Sequence, residues 1–264
     1  MSLTNKAPKD FYKDLTYIEN NNNGFDNNID NLRSGNGNLS SLYLSNNNLK
    51  VKPSTDNTTL VNIVDVDGNS LFTVDSTNDS VKSGISQTHV NTNYAYFANS
   101  SVGTAQFPAN THHAILFGGS YRSNYLSSQR ITLGTGTDPD TSYTVTTAAD
   151  ELVGRFWYIT DNIVIDKACF WVGASTDTGD TVRCHLMSYD IDVSNGATGG
   201  DLSNGVVVAS SSDIVNDGQE QSYFNNMTID SSSVTANKAL LFTFRQDSTN
   251  ADYSIAATIK YHVV

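Results

Sequence analysis

Residues 163–191 read IVIDKACFWVGASTDTGDTVRCHLMSYDI, which is two strand-like segments separated by a polar stretch with two glycines. In the first segment, 163–172, apolar residues stand at both alternating positions towards the end. This is typical of a central strand, or of one whose outer face another subunit covers. In the second segment, 181–191, apolar and polar residues alternate, as in a strand with one buried face. The stretch therefore predicts β structure around a buried core.

The same kind of pattern continues through residues 111–264. Short apolar segments follow one another at intervals of roughly 8–12 residues and are bounded by Gly, Asn, Asp, Ser or Thr, which favours a β-sandwich over alternating strands and helices. The predicted strands are 114–117, 130–133, 152–159, 163–172, 181–191, 206–210, 223–229, 239–245 and 253–262. We expect an all-β chain with a jelly-roll-like C-terminal β-sandwich over 111–264, and a connector at 85–110.

The composition agrees with an all-β fold. Hydrophobic residues make up 38% and charged residues only 16% of the chain, so uncharged polar residues are abundant. Asn, Ser and Thr favour turns over helix interiors, and the 13 Tyr and 11 Phe argue against disorder. The net charge of −12 repels phosphate backbones and anionic lipid surfaces. Nucleic acid and membrane partners are therefore not expected.

The first 20 residues contain several charged side chains and lack the apolar segment of a signal peptide. No apolar run reaches the ~18 residues of a membrane span. We therefore expect the chain to fold in a cytoplasm, without membrane insertion. Cys169 and Cys184 lie at mirrored distances from 173–180. If that stretch closes a hairpin, they face each other on neighbouring strands, and reduced, buried thiols are then favoured over a disulfide.

The N-terminal third contains short elements that cannot form a core alone. Residues 8–18 fit either one short helix or an extended segment. Strand patterns flank a turn at 45–48 and an Asp67–Gly68 turn, and the Asp-Gly pair is a strong hairpin signal. An isolated hairpin is marginal in water. Residues 40–85 are therefore expected to need a partner surface, which copies of the same chain would supply most simply.

A resemblance to known proteins lies in residues 11–51, FYKDLTYIENNNNGFDNNIDNLRSGNGNLSSLYLSNNNLKV. The run resembles an N-terminal module of phage fibre and tail-appendage proteins, especially marine ones. Residues 69–84, NSLFTVDSTNDSVKSG, resemble a unit of a fibre shaft. The matching positions are Tyr12, Lys13, Asp14, Leu15, Asn20–Gly24, Leu32, Arg33, Gly35, Gly37, Ser41, Leu42, Leu44 and Ser45.

The resemblance implies a homotrimer that docks on other virion proteins through an arm at 1–53, followed by a short intertwined β shaft at 54–84. With only one or two shaft units, it implies a short fibre rather than a long one. The protein would be assembled in the host cytoplasm and exposed on the virion surface. The residues expected to make the attachment are Phe11, Tyr12, Asp14, Leu15 and Tyr17.

Chemical motifs are weak in this sequence. His112 and His113 are adjacent, so in a strand their rings point to opposite faces, which disfavours joint metal binding. Asp65 and Asp67 near Gly68 lack the spacing of a calcium loop and fit a β-turn better. No nucleophile elbow or singled-out carboxylate pair is present. We expect no catalytic residue, no metal and no cofactor.

Aromatic residues in loop-like context are the candidates for recognition. Tyr94, Tyr96, Tyr121 and Tyr125 could stack on a host-surface glycan, because tyrosine combines a flat apolar face with a hydroxyl. The favoured interpretation, however, is that they seal a surface between subunits. The leading hypothesis is a short trimeric fibre of the tail or head, and the alternative is a capsid decoration protein. A carbohydrate-active enzyme and a bacterial adhesin fit the sequence less well.

Overall fold

The computed structural model describes residues 16–20, 24–102, 108–118, 131–145, 152, 154–175, 178–248 and 252–264. These residues form antiparallel β-sheets joined by turns and loops, so the all-β prediction is confirmed. No helix in this described part has the length and hydrophobicity of a membrane span. The chain divides into two compact units, residues 1–90 and 91–264.

The first unit contains two four-stranded sheets, each formed by strands consecutive in the chain. The first sheet comprises β1 (Thr16–Ile18), β2 (Asp30–Ser34), β3 (Leu39–Leu44) and β4 (Leu49–Val51). The second comprises β5 (Val61–Val64), β6 (Ser70–Asp75), β7 (Ser80–Ser83) and β8 (Thr88–His89). Of the two structures considered for residues 8–18, the extended one is found over β1.

Both predicted hairpins of this unit are confirmed. The Ser45 amide donates to the Asn48 carbonyl at 2.9 Å and closes the β3–β4 turn. At the β5–β6 turn, the Asp65 carboxylate accepts hydrogen bonds from the Asn69 and Asp67 amides at 2.8 and 3.0 Å. Gly68 has a φ of +87°, which a glycine adopts without steric cost. Asp65 is thus a turn former. The hydrogen bond from the Asn69 side-chain amide at 2.9 Å, together with those from the backbone amides, lowers its pKa.

The second unit is a sandwich of two sheets. Its strands are β9 (Thr92–Val102), β10 (His113–Ala114), β11 (Phe156–Tyr158), β12 (Ile163–Ser175), β13 (Thr181–Ile191), β14 (Leu202–Ser210), β15 (Ile214–Val215), β16 (Gln221–Asn226), β17 (Thr228–Ile229), β18 (Ser233–Val234), β19 (Lys238–Gln246) and β20 (Asp252–Val263). The larger sheet follows the order β10–β19–β13–β14–β17, with β11 beside β19 and β15 beside β13. The smaller sheet follows the order β16–β12–β20–β9, with β18 beside β12.

The core lies between the two sheets. Alternate residues of β9, β12 and β20 face alternate residues of β13 and β19, as period-two strands require. Phe242 of the larger sheet packs against Phe97 and Phe170 of the smaller one, at ring-centroid distances of 5.8 and 6.0 Å. Phe244 and Tyr253 form a further aromatic pair across the core, at 5.3 Å. These fully buried rings supply much of the apolar area that stabilises the sandwich.

A smaller apolar cluster covers the other face of the larger sheet. Met187 and Tyr189 of β13 pack there with Leu241 of β19, beneath Ile131 and Leu133. The Tyr189 hydroxyl donates to the Asp140 carbonyl at 2.8 Å, and burial raises its pKa. Strand β13 is therefore buried on both faces, whereas the alternation in its sequence predicts one.

One sequence interpretation is wrong, and the hairpin considered for the two cysteines is not formed. Much of residues 85–110, interpreted as a connector, belongs to β8 and to the eleven-residue strand β9, which pairs with β20 inside the sandwich. Cys169 and Cys184 do not face each other across a hairpin, because β12 and β13 belong to different sheets. Both thiols are free; Cys184 is buried, which raises its pKa, and Cys169 is only partly buried.

Candidate functional site

The outer face of the five-stranded sheet carries the most prominent surface feature of the second unit. Residues of one parity on β9 and β20 fill the core, as do Ala168, Phe170 and Val172 of β12 after a bulge between Ile165 and Lys167. Residues of the other parity on these segments point outwards. The outward residues are Tyr94, Tyr96 and Ala98 on β9, Ser254, Ala256 and Thr258 on β20, Cys169, Trp171 and Gly173 on β12, and Ser222 and Phe224 on β16.

Strand register places large rings on both sides of small residues. Trp171 lies opposite Phe224 on one neighbouring strand and opposite Ala256 on the other. Ala256 lies opposite Ala98, and Thr258 lies opposite Tyr96. The result is a groove of about 540 Å³ above β20, with Trp171 on one side, Tyr96 on the other, and a floor of Ala, Ser, Thr and Gly.

The large rings in this groove, and those beside it on the same face, are unusually exposed. Trp171, Tyr94, Tyr96 and Phe224 expose 56%, 54%, 53% and 46% of their surface. Trp171 and Phe224 contact each other with centroids 5.3 Å apart and planes inclined by 49°. A contiguous group of exposed rings in one groove marks a site of interaction more often than scattered surface apolar residues do.

The groove is bounded by opposite charges. At one end, beyond Tyr96 and Thr258, Lys260 of β20 lies between its cross-strand neighbours, Lys167 of β12 and Tyr94 of β9. At the other end, the groove shares Gly173, Ser222 and Ser254 with a smaller pocket of about 270 Å³, which Glu220 and Asp252 also line. The described walls between the two ends carry ring, methyl, hydroxyl and amide groups. Such a lining suits the binding of a ligand rather than acid–base chemistry on it.

The sequence predicted only part of this groove. Tyr96 is brought to it by β9, and Tyr94 lies beside it on the same face, whereas Tyr121 and Tyr125 lie outside the described residues. Trp171 and Phe224 were missed as candidates, because the apolar run 163–172 was interpreted as a central strand or as one whose outer face another subunit covers. Parity alone could not reveal Trp171, because it shares its parity with the buried Ile163 and Ile165, and a bulge between Ile165 and Lys167 turns it outwards.

Of the predicted attachment residues, the structure describes one. Phe11, Tyr12, Asp14 and Leu15 lie outside the described residues. Tyr17 lies in β1 opposite Arg33, which pairs with Glu19. Tyr17 is 44% exposed and lines, with Phe25 and Leu32, a groove of about 760 Å³ in the first unit.

Two buried histidines in the sandwich pack against each other and connect a loop to the larger sheet. The rings of His112 and His185 meet edge to face, with centroids 5.1 Å apart. His112 Nε2 lies 3.1 Å from the Gly136 carbonyl, and His185 Nε2 lies 3.2 Å from the Asp138 carboxylate. Burial lowers the pKa of His112 to about 4, and it lowers the pKa of His185 against the opposing effect of Asp138. The two histidines, in their neutral form, thus hold the 134–140 loop against the sheet.

We compared the sequence with protein-family models and with the curated proteins. No protein-family model matches the sequence, and a search of the curated proteins finds no match to it.

Proposed function

We propose that this chain is a non-enzymatic structural protein of a bacteriophage particle, a short homotrimeric fibre of the tail or head. Its N-terminal arm joins it to other virion proteins, and its C-terminal sandwich contacts the host surface. The proposal rests on the resemblance of residues 11–51 and 69–84 to phage fibre modules, and on one physical observation about the first unit.

That observation is a lack of an apolar core among the described residues of the first unit. The residues buried there are polar, namely Asn31, Thr73 and Asp75. Many large apolar side chains are instead exposed, and the others are only partly buried. The exposed ones include Phe25, Leu39, Leu42, Leu49, Ile63, Val64, Val66, Leu71 and Ile85. Small sheets of three or four strands need a covered apolar face to be stable.

Symmetric association supplies such a cover. In a fibre shaft, each chain buries its apolar residues against copies of itself, so no single chain needs a core. The exposed residues on β3 to β6 are then the inter-chain surface. The acidic net charge of −12 keeps the outside of such an assembly soluble.

The test is the location and copy number of the protein in purified particles of the phage that encodes it. Quantitative mass spectrometry against the major capsid protein should find a low copy number, and gold-labelled antibodies should mark the tail or the capsid vertices. A copy number close to that of the capsid protein would favour a decoration protein instead. Absence from particles would overturn the virion assignment.

A further inference from the structure

We propose that the groove between Trp171 and Tyr96 binds a neutral glycan chain, whose sugar rings stack on these aromatic side chains and whose hydroxyls meet Ser222 and Thr258. The inference deepens the proposed function, because it names the chemistry of the host-surface partner.

The exposed rings match the apolar face of a sugar. A pyranose has a face of C–H groups and a rim of hydroxyls, so a flat aromatic side chain can cover the face while water or protein meets the rim. Trp171 offers the largest ring of the groove, and Phe224 supports it from the side at 5.3 Å. Tyr96 offers a second ring across the groove and a hydroxyl.

The floor keeps the faces of these rings accessible. Ala98, Ala256 and Gly173 leave the space above β20 open, where larger side chains would pack against the rings. Trp171 and Tyr96 belong to strands separated by one strand, which is roughly 10 Å across the sheet. The volume of about 540 Å³ falls within the usual range of ligand clefts, roughly 300–1,000 Å³.

A second copy of the chain fits this groove less well. The centre of a stable protein interface is apolar and excludes water. Here hydroxyls of Ser222 and Thr258 line the groove beside the half-exposed rings, and the groove continues at one end into a polar pocket. An extended oligosaccharide can lie along such a groove, whereas the convex surface of a folded domain meets its rims first.

Charge favours a neutral glycan over an acidic one. The cationic end at Lys167 and Lys260 is balanced by Glu220 and Asp252 at the other end. The whole chain carries a net charge of −12, which opposes the approach of a polyanionic polysaccharide.

The experiment uses the full chain. The purified protein is applied to an array of neutral and acidic glycans. Its affinity for the neutral glycan that binds most strongly is then measured by titration calorimetry. We expect Trp171→Ala to weaken that binding at least tenfold and Ala256→Val, which fills the floor, to weaken it by a similar factor. Val206→Ala is the matched control, because Val206 is 52% exposed on the other sheet; it should bind as the original chain does.

Several outcomes would overturn the inference: no neutral glycan binds, acidic glycans alone bind, or Trp171→Ala binds with unchanged affinity. A fall in the mass of the assembly on Trp171→Ala would show that this face is an interface between copies, which also overturns it. Failure here leaves the fibre proposal standing if the protein is a trimer. Conversely, a monomer that binds the glycan would keep this inference and remove the fibre.

Discussion

Gly205 and Gly173 differ in the space that a methyl group would find. A Cβ on Gly205 of β14 would lie 2.5 Å from Tyr189 Cε1 and 2.8 Å from Thr141 Cα, closer than real atoms approach. A Cβ on Gly173 of β12 would meet Ser222 Oγ at an ordinary 3.7 Å. Only the first position is therefore closed to alanine.

We predict that Gly205→Ala lowers the free energy of unfolding by about 2 kcal/mol, the usual cost of overpacking a core. Gly173→Ala should change it by less than about 0.5 kcal/mol. Denaturant unfolding followed by tryptophan fluorescence measures both. Equal destabilisation by the two variants would mean that the close contact of β14 with Tyr189 is not tight.

The histidine pair gives the sandwich a pH dependence. Burial holds the pKa of His112 at about 4, below the ~6.5 of an unfolded histidine, and it also lowers the pKa of His185. The unfolded chain therefore binds more protons than the folded chain between these values. The stability contributed by His112 is fully present above pH ~6.5 and is lost as the pH falls towards 4.

We predict a loss on the order of 2 kcal/mol in unfolding free energy from His112 over that interval. His112→Gln should flatten the profile, because glutamine stays neutral and its amide can still donate to the Gly136 carbonyl. The measurement is denaturant unfolding at a series of pH values for both chains. Parallel profiles would show that His112 does not titrate in this way.

At the scale of elements, the question is whether residues 92–102 behave as a connector or as a strand of the sandwich, β9. Its alternation puts Phe97 in the core, where it contacts Phe242, and leaves Tyr96 half-exposed in the groove. We predict that Phe97→Ala lowers the free energy of unfolding by about 3–5 kcal/mol, as for other buried aromatic residues. Tyr96→Ala is the matched control and should cost less than about 1 kcal/mol. A small effect of Phe97→Ala on thermal or denaturant unfolding would argue against β9 as a core strand.

The strands that the sequence predicted well are those with a clear apolar pattern between turn residues. β13 has the predicted bounds, 181–191, and β19 and β20 lie within one residue of prediction at each end. β9 was missed, because Asn93, Asn99 and other polar residues interrupt the run around Ala95 and Phe97. The pattern of apolar and polar residues within one strand does not show which polar residues the folded sheet can accommodate.

The parts that could not be predicted depend on contacts far apart in sequence. The outer face of β13 reads as polar at Arg183 and His185, yet His185 is buried by the packing of His112 and the 134–140 loop. The run around Trp171 predicted a central strand or one covered by another subunit; within the chain Trp171 is exposed, because no described element covers that side of β12. Of the two large exposed rings that line the candidate groove, Tyr96 was therefore predicted and Trp171 was not.

At the scale of the whole molecule, the two units differ in how they could be stable. The second unit buries two apolar clusters of its own. The described part of the first unit buries polar residues and exposes apolar ones, such as Ile63, which lies opposite Phe72 on the β5–β6 hairpin and is 54% exposed. Association of the first unit with copies of itself is the central claim of the fibre proposal.

The most direct test is the mass of the purified full-length chain in solution, measured by light scattering, with Ile63→Asp and the exposed polar control Thr58→Asp alongside. We predict about 86 kDa, three times the 28.6 kDa chain, for the original protein and the control. Ile63→Asp should shift the mass towards 28.6 kDa, because a charge on the inter-chain surface would be buried without a partner. A stable 28.6 kDa particle for the original chain would contradict the trimeric shaft and the fibre built on it.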